Sequence, residues 1–183
     1  KFGVKKLRCL EIGTSGGLNL CMPHYHYKFA LDSAENDKDA VEWGDPSSSV
    51  TIQPKVVGSM NVPNSMDFDI VSSVGCDLFP VDLRNEAEAL RMKSFIWADH
   101  MWRHSLLDNA ITTLCTHPPH IEKADAASWV REQLTRNRGE DGDGTCTVLM
   151  HSIVWQYLPE GTKAGITLAM QEAAALANSK NPI

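Results

Sequence analysis

The chain has 183 residues, a formal net charge of −6, 43% hydrophobic and 22% charged residues. That length suits one domain able to bury roughly 70% of its unfolded surface, and the composition is globular rather than disordered. The acidic balance, with no basic cluster interleaved with aromatics, argues against a phosphate-backbone grip, so no nucleic-acid partner is expected.

No apolar run approaches the ~18 residues of a membrane span, and Lys1–Lys6 lacks the apolar core of a signal peptide, so no membrane partner is expected. Five cysteines without a Cys-x-x-Cys pair fit a reducing cytoplasm. Cys9, Cys76 and Cys146 lie in apolar strand-like runs, where a thiol acts as a small hydrophobe. A start without Met that runs almost directly into a strand implies a fragment of a longer protein.

The first element is an apolar strand, Cys9-Leu10-Glu11-Ile12, ending in the small-residue turn Gly13-Thr14-Ser15-Gly16-Gly17. Such a turn lets a ligand approach the backbone, and free N–H groups at a following helix start favour polar or anionic atoms. Small turns of this kind also arise for packing alone. Leu18–Met22 predicts a short helix before Pro23, and His24–Phe29 alternates aromatic with polar residues as a strand does. Loops are read at 32–39 and 58–65, with turn chemistry over Trp43–Ser49. Val50–Val57 reads as an edge strand because it contains Pro54.

Phe68–Val74 and the run ending at Asp77 read as the second core strand, followed by a long helix from Asn85 to about Cys115. Its expected apolar face holds Ala87, Leu90, Ile96 or Trp97, Met101, Leu107, Ala110, Ile111 and Leu114, with an Asp99–Arg103 pair outside. Ile121–Ala124 is a short third strand. Asp125 then caps a helix burying Ala126, Trp129, Val130 and Leu134. Asp141–Gly144 resembles part of a calcium loop but lacks its closing glutamate. Thr145–Met150 is the strongest strand, Thr162–Ala177 an alanine-rich helix, and Asn181–Ile183 the start of another strand.

Strands alternating with helices predict a parallel α/β sheet with ligands beyond the carboxyl ends of its strands. Asp77 stands where an acid usually holds ribose hydroxyls, although 64 positions separate it from Gly13, against the usual ~20. An insertion over 23–67 would account for the excess. Read plainly, Asp77 is a turn residue and Asp125 an N-cap. His151 follows the strongest strand as a candidate general base, or as a histidine bonded to a neighbouring loop. Ser152 lacks a Gly-x-Ser-x-Gly elbow. Trp155 and Tyr157 are candidates for lining a pocket or for packing under the helix that follows. The pairs His24/His26, His100/His104 and His117/His120 offer metal-ligand spacing without a third ligand, so no metal is expected.

Taken together, the stretches Leu10–Leu20, Trp43–Pro46, Gly75–Asp82, Trp97–Asp99 and His151–Pro159 resemble a bacterial family known only as a domain of unknown function. That family continues further at both ends. The motif order in turn resembles class I S-adenosylmethionine-dependent methyltransferases. The resemblance implies a Rossmann-like, mostly parallel sheet with helices on both faces, an inserted β-hairpin and missing C-terminal strands, as one domain over 1–183. It further implies S-adenosylmethionine as cofactor. Glu11, Gly13, Ser15 and Gly17 would meet its methionine part, Asp77 its ribose, Asp125 and Ala126 its adenine. His151 would be the catalytic residue, with Ser152, Trp155 and Tyr157 around a small-molecule acceptor. Ser15 departs from the pattern by replacing a glycine. Two rivals stay open. One is a non-catalytic interaction scaffold that self-associates through an unpaired Thr145–Met150 edge. The other is a nicotinamide-dependent oxidoreductase, which shares the turn and the acid.

Overall fold

The computed structural model describes residues 4–31, 41–56, 67–136, 144–180 and 182–183. The loops read at 32–39 and 58–65, and Asp141–Asp143 of the calcium-like fragment, lie outside them. In chain order the strands are β1 (Lys6–Ile12), β2 (His26–Leu31), β3 (Val41–Gly44), β4 (Thr51–Ile52), β5 (Lys55–Val56), β6 (Asp69–Asp77), β7 (His120–Lys123) and β8 (Cys146–Met150). The helices are α1 (Glu86–Lys93), α2 (Met101–Thr116), α3 (Ala126–Arg136) and α4 (Glu160–Ala175). The chain forms two compact units, one from 1–20, 68–81 and 119–183, the other from 21–67 and 82–118. The first segment of the second unit nearly coincides with the expected insertion.

The first unit holds a four-stranded parallel sheet in the order β7-β6-β1-β8. β1 is an inner strand because its backbone pairs on both sides: Leu10 lies opposite Val74 and Leu149, Glu11 opposite Gly75 and Met150. Strand alternation sends Leu10 and Ile12 to one face. There they meet Cys76 of β6, Ala126, Trp129, Val130 and Leu134 of α3, and Ile166, Ala169 and Ala173 of α4. α3 forms as its sequence dictates. Asp125 Oδ1 accepts the backbone N–H groups of Ala127 (3.0 Å) and Ser128 (3.1 Å), and the buried positions recur at helical spacing. Full burial of the Trp129 side chain is worth about 3 kcal/mol, offset in part by an indole N–H with no hydrogen-bond partner among the described residues. On the outer side of β8, Thr147 N–H donates to Pro182 O at 3.0 Å. The edge expected to be unpaired is thus partly occupied by the segment read as the next strand.

In the second unit β2 pairs antiparallel with β3, from His26↔Gly44 to Phe29↔Val41. The hairpin partner is therefore Val41–Gly44, which takes in Trp43 and Gly44 of the stretch read as turn, and not the strand read over 50–57. The edge strand read over 50–57 is instead split by Gln53-Pro54 into β4 and β5, both parallel to β2. Proline has no N–H to give a ladder. The short helix after the glycine turn is a 3₁₀ helix, Leu18–His24, that runs through Pro23.

The long helix expected over 85–115 is two helices with a turn between them. Ser94 Oγ bonds Arg91 O, and the N–H groups of Phe95 and Ile96 fall back to Met92 and Lys93, which ends α1. Of the expected apolar face, Leu107, Ala110 and Leu114 are buried, whereas Leu90 (67% exposed), Trp97 (76%) and Met101 (66%) are not. Asp99 lies in the connection rather than on a helix with Arg103, so the i,i+4 pair does not form. Across the hairpin of helices, Lys93 pairs with Asp108.

The histidines also combine differently from their sequence spacing. His24 stacks on His117 at 3.8 Å and 10°, while His100 precedes α2 and His104 faces Trp97 O at 3.3 Å.

Two outcomes are expected of this unit. Gly44 has φ +90°, and a Cβ there would stand 2.0 Å from Tyr25 O, so Gly44→Ala should lower stability in urea by more than about 2 kcal/mol. Burial and the facing His117 hold the His24 pKa below its ordinary 6.5, against a smaller opposing effect of Asp45. Its contribution is therefore full above that value and is lost as pH falls through the depressed pKa. Urea midpoints measured from pH 8 to pH 5 should decline over this window, and His24→Phe should flatten the decline.

Candidate functional site

The carboxyl ends of the four parallel strands place the predicted residues along one rim of the first unit. After Ile12 the chain turns through three left-handed positions: Gly13 (φ 66°), Ser15 (φ 52°) and Gly17 (φ 78°). Glycine reaches this region without strain, but a side chain does not. Ser15 is the one non-glycine with positive φ among the described residues. It replaces the usual glycine in sequence while keeping the glycine-like backbone.

Hydrogen bonds to the exit of β6 hold the turn. Thr14 N–H donates to Cys76 O (3.1 Å), Ser15 N–H to Asp77 Oδ2 (2.8 Å), and Val81 N–H to Ser15 O (3.2 Å). The other Asp77 oxygen accepts Phe79 N–H at 2.9 Å. The structure thus brings Ser15 and Asp77, 62 positions apart in the chain, into direct contact.

Glu11 is fully buried. Its Oε2 accepts from Thr14 Oγ1 at 2.6 Å and its Oε1 from Asn19 Nδ2 at 2.7 Å. It therefore reaches the turn's surroundings through Thr14 and Asn19, two residues that sequence reasoning missed. A serine or threonine and an asparagine at i+3 and i+8 of a strand-end acid was the available signal. Burial pushes the neighbouring Cys76 thiol up to about 12.

The glycines also serve packing. A Cβ on Gly13 would meet Val154 Cβ at 2.4 Å, and one on Gly17 would meet Ile121 and Pro119 at 2.7 and 2.9 Å. Gly13 thereby locks the segment after β8 against the turn after β1.

Asp125 is exposed at the start of α3 and acts as its cap, with buried Ala126 beside it. Also on the rim, Lys123 lies over the exposed Phe79 ring at 5.6 Å, a pair not foreseen from sequence. His151 and Ser152 are exposed just past β8. His151 stacks on Trp155 at 5.5 Å and 17°. Neither of its ring nitrogens has a hydrogen-bond partner among the described residues. Trp155 is half-buried against the core cluster, whereas Tyr157 is 75% exposed. No group of three or more His, Cys, Asp or Glu side chains able to hold a metal occurs among the described residues.

A four-stranded parallel sheet with helices packed on it defines a mixed α/β protein, with the left-handed turn, Asp77 and His151 past the carboxyl ends of its strands. The chain belongs to the family described as "Uncharacterized protein conserved in bacteria (DUF2332)", which it matches over residues 2–182. No curated protein and no solved structure matched the chain. Among the described residues no helix is long and apolar enough to cross a membrane.

The conformation of Ser15 makes a sharp prediction. Ser15→Gly removes left-handed strain of about 1 kcal/mol and adds unfolded-state entropy of about the same size, so stability should change by less than about 1 kcal/mol. Ser15→Val, β-branched at positive φ, should destabilise by about 2 kcal/mol. Guanidinium unfolding of the two variants checks both signs.

Proposed function

We propose that the protein is an S-adenosylmethionine-dependent methyltransferase built on a Rossmann-like sheet. The observation that carries this reading is the contact between the left-handed Ser15 turn and Asp77. It lies at the carboxyl ends of strands ordered third-second-first-fourth, the order of doubly wound nucleotide-binding sheets. The crevice where strand order reverses, between β1 and β8, is where such sheets take their ligands.

The residues fit the cofactor. A carboxylate oxygen offers two acceptor sites, so each Asp77 oxygen keeps one for a ribose hydroxyl beside the backbone N–H it already holds. Gly13, Ser15 and Gly17 would hold the methionine part, with Glu11 steadying that turn from beneath through Thr14 and Asn19. Asp125 Oδ2 and Ala126 would face the adenine. When bound, the cofactor would supply an electrophilic methyl carbon, so the protein's work is alignment of the acceptor and removal of a proton. His151, exposed and without a hydrogen-bond partner among the described residues, would take that proton.

One observation favours a second reading, an interaction scaffold. In the second unit a groove of about 900 Å³ is lined by Leu90, Phe95, Ile96, Trp97, Met101 and His104, and Phe95 and Trp97 are each more than 70% exposed. Exposed apolar patches of this kind mark interaction surfaces. Light scattering separates the readings, because a scaffold self-associates or binds protein regardless of cofactor.

For the methyltransferase, calorimetry should give saturable heat with S-adenosylmethionine and with S-adenosylhomocysteine. Asp77→Ala should weaken both at least ten-fold. No heat from either ligand would sink the reading.

A further inference from the structure

The segment that follows β8 carries one imidazole and no carboxylate before Glu160. Residues 151–158 read His-Ser-Ile-Val-Trp-Gln-Tyr-Leu, with no carboxylate. An amine acceptor is an ammonium ion at neutral pH and is held best by a carboxylate, whereas the one side-chain amide of this segment, Gln156, is neutral. Asp77 and Asp125, past β6 and β7, are the groups that would hold the ribose and adenine in the methyltransferase reading. What the segment does offer is an imidazole with both nitrogens unbonded among the described residues, its ring stacked on Trp155 at 5.5 Å and 17°. Ile153 (63% exposed) and Tyr157 (75%) stand out from the same segment. Flat apolar surface beside a lone base suits a flat acceptor that must lose a proton.

The type of hydroxyl follows from proton affinity. A phenol ionises near ~10. An alkyl hydroxyl resembles water, which ionises near ~15.7. An imidazole assists the first far more readily than the second, because general-base efficiency falls as the mismatch widens. Aromatic rings also prefer offset-stacked or edge-on partners, which an exposed histidine–tryptophan pair supplies.

Resting on the methyltransferase reading above, we infer that the acceptor is a phenol whose ring lies against the His151–Trp155 pair and whose hydroxyl proton passes to a His151 nitrogen. The phenol oxygen forms the new bond to the methyl carbon. The electrons of the broken carbon–sulfur bond stay on sulfur, which becomes a neutral thioether, and the proton leaves His151 for water. Trp155 is a positioning residue in this scheme: it is anchored against the core cluster and sets the plane of the imidazole.

The test follows the His151 ring by long-range proton–nitrogen NMR, assigned by loss of its signals in His151→Gln, which changes an exposed side chain. 2-Naphthol, N-acetyltyrosinamide, 2-methoxynaphthalene and 2-(aminomethyl)naphthalene are titrated separately, with S-adenosylhomocysteine calorimetry on the same sample. At least one of the two phenols should shift the His151 signals saturably, and the methoxy and amine compounds should bind at least five-fold more weakly than that phenol. The first phenol stands for small-molecule acceptors and the second for tyrosine side chains; the tighter of the two names the source. Trp155→Phe keeps an aromatic partner and should retain binding within about two-fold, whereas Trp155→Leu should lose at least five-fold at unchanged far-UV circular dichroism. If Trp155→Leu fails to fold, the phenol-against-amine comparison in the unaltered protein decides alone. Heat from S-adenosylhomocysteine with no phenol-induced shift, or with equal shifts from the amine, overturns the acceptor while leaving the cofactor reading intact. Absence of that heat overturns the methyltransferase reading and the acceptor with it.

Discussion

Between the end of β1 at Ile12 and the 3₁₀ helix that starts at Leu18, the chain passes through left-handed backbone at alternate residues, 13, 15 and 17. A segment in that conformation cannot use a ladder to satisfy its N–H and C=O groups. Left unpaired and buried, each would cost about 1–3 kcal/mol. The exit of β6 supplies the partners: Cys76 O, the Asp77 carboxylate and Val81 N–H. β1 and β6 are therefore joined beyond their last paired residues, and the Gly13–Gly17 turn and Asp77 are positioned from that join. The buried Glu11 carboxylate makes the same point from below the turn, since its charge-assisted bonds to Thr14 and Asn19 offset its loss of water.

How far the sequence reveals this fold depends on the range of the interactions involved. α3 is legible because everything it needs is local: an aspartate cap, and apolar residues three and four apart. β1, β6 and β8 are legible as largely apolar runs, and Asp77 marks where β6 stops. α1 and α2 show the opposite case. No glycine or proline interrupts residues 85–115, and the apolar spacing continues through the break. What ends α1 is a serine hydroxyl competing for a last-turn carbonyl, a weak signal that periodicity overrides. Leu90, Trp97 and Met101 then keep helical spacing without gaining burial. The histidines fail for a related reason. His24 and His117 meet through the fold of the second unit, and no spacing rule connects residues so far apart.

In the site, sequence and structure differ in what Ser15 means. As a letter it breaks a glycine pattern and weakens the resemblance to nucleotide-binding turns. As a conformation it preserves the pattern, because its φ of 52° matches its neighbours at 66° and 78°. A strained residue persists only where its surroundings over-determine it. Here both backbone groups of Ser15 are bonded to the Asp77–Val81 segment. The turn's geometry is thus carried by Asp77 as well as by its glycines, which is how a serine can stand in the middle position.

Gly13 links the two ends of the proposed chemistry. In the parallel register Glu11 lies opposite Met150, so the chain leaves β1 at Gly13 and leaves β8 at His151 side by side. Val154 then packs where a Gly13 side chain would be, 2.4 Å from its ideal Cβ. Any larger residue at position 13 would have to push the Val154 turn away, and Trp155, next in sequence, carries the imidazole stack with it. The missing side chain of one glycine therefore sets the spacing between the turn proposed to hold the methyl donor and the base proposed to free the acceptor. That spacing is the quantity on which an alignment-driven transfer depends.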